Sequence, residues 1–106
     1  MKEDIDNDVA KDDDLLRKKI SELFGDKATL GEETVGSGGY DFAPLNICGV
    51  LVCIKSDHGA VRVLGGKDAE NVETHPEQRE QYCIVHVNKN QSCAILGGSK
   101  YRCIYS

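Results

Sequence analysis

The chain has no tryptophan and one methionine, and its aromatic residues are four tyrosines and two phenylalanines among 106 positions. Aromatic side chains bury the largest areas, so a core made with so few of them is small. A chain of this length makes one domain at most, and a small core gains from a covalent staple. No apolar run approaches the roughly 20 residues of a membrane-spanning helix. An apolar signal region is also missing, which reads as a cytosolic chain or one already processed, its leading Met then an expression artefact. Basic excess is absent too. Residues 1–14 hold seven acids and two bases, and the remaining 92 residues hold 11 of each, so the net charge of −5 sits in the N-terminal segment. A neutral body lacks the basic surface needed to displace counterions from nucleic acid.

What the chain does have is thiols. Cys48, Cys53, Cys83, Cys93 and Cys103 all fall in apolar runs of the second half. That density fits a secreted small domain with one or two disulfides better than a cytosolic protein. The odd count leaves at least one thiol unpaired. A zinc site could draw on these cysteines with His58, His75 and His86. Structural zinc, however, takes close ligand pairs on tight knuckles. Cys48 and Cys53 sit within one strand and point to opposite faces by simple alternation, and Cys83, Cys93 and Cys103 recur one per strand. No metal site is assigned. Cys83 and His86, three apart on a strand, also face opposite sides and make no nucleophile–base pair. No paired carboxylates stand out, so no catalytic residue, enzyme activity or cofactor is assigned. The Gly36–Gly39 stretch is followed by neither Lys-Ser/Thr nor a helix, which a phosphate-cradling loop requires. Lys67 and Lys100 read as turn lysines.

Taken in order, residues 1–11 are acidic and aperiodic, and are expected to be a disordered tail. Over 12–25, Leu15, Leu16, Ile20, Leu23 and Phe24 recur at helical spacing. Asp12 or Asp13 suits the cap and Gly25 the stop. Residues 26–46 form a Gly-rich connector whose Tyr40-Asp41-Phe42 is expected to touch the core. The domain proper spans 47–106. Its centre is the hairpin of 81–87 and 92–97 around the polar turn Asn88-Lys89-Asn90-Gln91. Further strands are expected near 47–55, 60–65, 71–74 and 100–105. Division at the polar stretch 75–80 predicts an all-β fold, a six-stranded antiparallel β-sandwich of two three-stranded sheets preceded by a short N-terminal helix. Short edge strands offer unpaired backbone groups to a partner, which makes Val61, Arg62, Val63, Asn71, Val72 and Glu73 candidate binding residues.

The hairpin from Ile84 to Lys100, with its Lys-Asn-Gln-Ser turn, its Cys and its Ile-Leu strand, resembles the MAX effectors (Magnaporthe avirulence and ToxB-like proteins). Cys53 through Leu64 resembles the first hairpin of that family. The match covers roughly residues 47–105. The resemblance implies a secreted, monomeric, non-catalytic virulence effector of a plant-pathogenic fungus, acting in or at host cells. Its partner would be a host plant protein, such as a heavy-metal-associated domain, with no nucleic acid, membrane or cofactor involved. It also implies a disulfide between Cys53 and Cys93, with Cys48 the alternative to Cys53. The acidic segment, the helix and the extra cysteines depart from that family. A second reading is a cytosolic small β-barrel that binds RNA, or a structural zinc protein. The helix followed by bent strands is similar to the Sm-like fold, and Asp68 and Asn71 fall near its ligand loop. The Arg-Gly pair of that family's last loop is replaced by Leu96-Gly97.

Overall fold

The computed structural model describes residues 2–36, 40–44, 46–55, 60–65, 70–73, 80–96 and 99–106. Among these described residues, ten strands and two helices follow in the order β1 (Lys2–Ile5), α1 (Asn7–Lys11), α2 (Asp13–Phe24), β2 (Thr29–Leu30), β3 (Thr34–Val35), β4 (Tyr40–Phe42), β5 (Ile47–Lys55), β6 (Ala60–Leu64), β7 (Glu70–Glu73), β8 (Glu80–His86), β9 (Ser92–Leu96) and β10 (Lys100–Tyr105). The six strands expected after residue 46 all form, each within a residue or so of its expected bounds.

Their grouping differs from the expectation of two three-stranded sheets. A six-stranded sheet runs β1-β8-β5-β10-β2, with β3 also on β10, and a four-stranded sheet runs β4-β9-β6-β7, all pairs antiparallel. The extra strands come from the segments expected to be tail and connector. The N-terminal segment is ordered: β1 pairs with β8 from Lys2↔Val85 to Ile5↔Tyr82, and Ile5 is buried. The two branched apolar residues of this segment, Ile5 and Val9, suffice because the strand does not fold alone. It extends an existing ladder and drops Ile5 onto a finished apolar surface. The connector likewise supplies β2, β3 and β4 to sheet edges.

Strand alternation sorts the core into two layers. Val50, Val52 and Ile54 of β5, with Cys83 and Val85 of β8, meet Val61, Val63, Cys93 and Ile95 of the four-stranded sheet. On the opposite face of the six-stranded sheet, Leu51, Ile84 and Ile104 pack against Leu16 and Ile20 of α2. Asp12 caps α2 by accepting from the Asp14 and Leu15 amides at 3.0 and 3.2 Å. Gly25 ends it at φ 94°, in the left-handed region that glycine tolerates. The expected helical stripe is present with one exception: Leu16 and Ile20 are fully buried, Leu23 and Phe24 half-buried, and Leu15 exposed. The Phe24 ring lies over Gly49, where an added Cβ would come within 2.7 Å of it, and it stacks on His86 at 4.9 Å. The lack of a side chain at position 49 is what lets the helix end approach β5. No helix among the described residues is long and apolar enough to cross a membrane.

Candidate functional site

The four-stranded sheet holds the residues expected to bind, but it uses them differently. β6 is not an edge: it pairs with β7 on one side and β9 on the other. Its alternation turns Val61 and Val63 into the inter-sheet core, where neither is more than 1% exposed. Those two are therefore core residues, not contact residues. Arg62, between them, points to the opposite face and is exposed. β7, which carries Asn71, Val72 and Glu73, is an edge, hydrogen-bonded among the described strands to β6 alone. The other edge is β4, held by Tyr40↔Leu96, Asp41↔Ile95 and Phe42↔Ala94. Phe42 does not touch the core as expected. It is 67% exposed on the outer face, and Ala43 takes the buried position one residue on. Phe42, Arg62, Leu64 and Ala94 surround a shallow hollow of about 120 Å³ with an apolar lining. The outer-face role of Phe42 was hidden because nothing in the sequence gives the register of so short a strand.

The cysteines separate by layer. Cys83, Cys93 and Cys103 belong to the inter-sheet core. Burial, and then the neighbouring Cys103 and Cys83, push the Cys93 thiol up to about 12. Burial also raises Cys103, against a hydrogen bond with Tyr105 that lowers it. Cys53 lies on the helix-side face of β5, and Cys48 packs on that side too. A bulge explains the latter. Gly49 pairs with Ile104 and Ile47 with Tyr105, so Cys48 is the extra residue. Simple alternation would set Cys48 and Cys53 on opposite faces; the bulge puts both on the helix side. All five cysteines are thiols without a disulfide. The pairing of Cys53, or alternatively Cys48, with Cys93 does not form here, because the β5 backbone lies between the two layers. Among the described residues no group of three or more His, Cys, Asp or Glu is arranged to hold a metal ion. His58, His75, Lys67, Asp68 and Gly97 lie outside the described residues.

A second concavity lies on the helix side of the six-stranded sheet, beyond the area that α2 covers. Arg102 on β10 fixes one wall. Its Nε donates to the Gly31 carbonyl at 2.7 Å and its Nη1 to Asp13 Oδ1 at 3.1 Å. Asp13 also takes the Arg17 Nε at 3.1 Å. The hydrogen bonds from Arg102 and then Arg17 hold the Asp13 carboxyl below its ordinary value. Lys100 is not a turn lysine. It opens β10 and pairs with Cys53 on one side and Val35 on the other.

No protein family, curated protein or solved structure matches this chain.

Proposed function

We propose that this chain is a non-catalytic binding module that docks a protein partner on the outer face of its four-stranded sheet. One observation carries the reading: Phe42 stands two-thirds exposed beside an apolar hollow, on an edge strand. Exposed aromatic residues next to shallow apolar depressions are the usual anchors of protein contacts. Arg62 adds a cation to the same patch, and β4 and β7, the outermost strands of this sheet among the described residues, are placed for strand addition by a partner.

The more specific form is a secreted fungal effector that binds a host heavy-metal-associated domain. Two packed antiparallel sheets and the resemblance of the two hairpins support it. The unbridged thiols and the helix-covered six-stranded sheet depart from that family. Calorimetric titration of the oxidised protein with purified host heavy-metal-associated domains tests it, alongside Phe42→Ser and Arg62→Glu. Binding that weakens at least tenfold in Phe42→Ser supports both the module and its face. Binding indifferent to both substitutions would remove this face from the proposal, and no binding to any such domain would leave the effector form without a partner.

A further inference from the structure

The concavity on the helix side is built from rows that cross three central strands. Cys53 pairs with Tyr82 on β8 and with Lys100 on β10, so these three residues form one row. The next row is Ile84, Leu51 and Arg102. Residues directly opposite in a ladder share a face, with Cβ atoms about 4.5–5.5 Å apart. Leu16 and Ile20 of α2 cover Ile84 and most of Leu51, whose remaining edge lines the hollow. The Tyr82–Cys53–Lys100 row lies beyond that cover, and Ala10 and Lys11 of α1 and Glu33 make the rim of an open hollow of about 240 Å³. Drug-sized ligands occupy pockets of roughly 300–1,000 Å³, so this one suits a smaller molecule.

The charges of the lining are unequal. Lys11, Lys100 and Arg102 face Asp13 and Glu33, a net of one positive charge. Asp13 is already satisfied by Arg102 and Arg17. Among the described residues neither Lys11 nor Lys100 makes an ion pair. Lys100 is half-buried on an interior strand, in a row whose other members are Cys53 and Tyr82. Taking an ammonium part-way out of water without a counter-charge costs stability, and a fold that needed only packing there would carry an apolar residue. The floor of Leu51 and Tyr82 is apolar or amphipathic, which favours a ligand with a hydrocarbon part over a bare inorganic ion.

We infer that this hollow binds a small organic monoanion, a carboxylate with a short apolar body, whose carboxylate meets Lys100 and Lys11 and whose body lies on Leu51 and Tyr82. One added negative charge neutralises the lining, whereas a dianion would leave an excess beside Glu33. The site is on the sheet remote from Phe42, so it stands whether or not the protein-binding face does.

The test is an amide-resolved NMR titration of the full chain with benzoate, with benzamide as the neutral isostere and inorganic phosphate as the multivalent anion, at constant ionic strength. Saturable shifts with benzoate are expected at Cys53, Tyr82, Lys100 and Arg102, with none from benzamide. Lys100→Met keeps the side-chain length and removes the charge, and should weaken benzoate binding by about tenfold, the worth of one ion contact of about 1.4 kcal/mol. Lys11→Met alters only an exposed residue, cannot unfold the sheet, and should weaken binding by a smaller factor. Equal shifts from benzamide, stronger shifts from phosphate, or benzoate shifts unmoved by both substitutions would each overturn the inference.

Discussion

The two sheets of this protein are treated differently by the rest of the chain. The six-stranded sheet is covered by the four-stranded sheet on one face and by α2 over part of the other, where the Tyr82–Cys53–Lys100 row stays open. The four-stranded sheet is covered on its inner face, while its outer face carries exposed Phe42 and Arg62. A strand buried on both faces reads as a continuous apolar run, and β5, Ile-Cys-Gly-Val-Leu-Val-Cys-Ile-Lys, does so. β6, Ala-Val-Arg-Val-Leu, alternates. The contrast teaches where stability and recognition are placed. Substitutions at residues covered by α2 or buried between the sheets should be felt as stability, and substitutions at exposed Phe42 and Arg62 as binding.

The largest effect should come from breaking the helix-side cover. Ile20 is 1% exposed between α2 and the sheet. Ile20→Ala should cost about 2–5 kcal/mol, the lost transfer energy plus the cavity left behind. Chemical denaturation reads it as a lower midpoint, and a change under about 1 kcal/mol would mean that the helix is not docked.

Removing residues 1–11 strips β1 from β8, exposes the flank of Ile84, and loses Ile5 and the Lys19–Glu3 ion pair of 3.1 Å. Burying a side chain such as Ile5 is worth about 1.5–3 kcal/mol, and the ordering entropy of the segment offsets part of it. The truncated chain should unfold about 1–2 kcal/mol more easily. An unchanged midpoint would restore the view of this segment as a dispensable tail.

The inter-sheet core gives a pH signature that the bare face lacks. The Cys93 thiol rises from its ordinary 9 to about 12 because burial disfavours the thiolate. Unfolded Cys93 ionises first as pH rises, so the stabilisation is complete below about pH 8.5 and falls away toward pH 12. The loss between about pH 8 and 10 should be on the order of 1 kcal/mol, and Cys93→Ala should flatten it. A wild-type slope unchanged in Cys93→Ala would assign the alkaline loss elsewhere. The smallest stability effect belongs to Phe42→Ser, which removes an exposed ring and should shift stability by no more than about 0.5 kcal/mol. A loss above about 1 kcal/mol would show that Phe42 is packed, and the contrast between the sheets would weaken.

Much of the fold is legible in the order of the residues. The six strands after residue 46, the helix with its Asp12 cap and Gly25 stop, and the polar turn at 88–91 follow from local pattern. Local pattern is enough because alternation, helical spacing and turn chemistry are short-range properties of neighbouring residues. The candidate binding residues are legible only in part. Arg62 and the β7 edge remain candidates, whereas Val61 and Val63 are core.

The sequence by itself determined the six strands after residue 46 and the helix Asp13–Phe24, and that the body is electrically neutral. Only the tertiary structure decided which strands pair, which face each side chain takes, and what covers it. β1 and β4 show why. Strands of four and three residues have little intrinsic preference, and they form because an existing ladder offers them hydrogen bonds and an apolar surface. Cys48 shows the same for orientation. One bulge residue in β5 reverses the alternation, and whether a strand bulges depends on its pairing with β10, about 50 or more residues away in the chain. The row of Tyr82, Cys53 and Lys100 exists for this reason as well: register joins residues that the sequence keeps far apart.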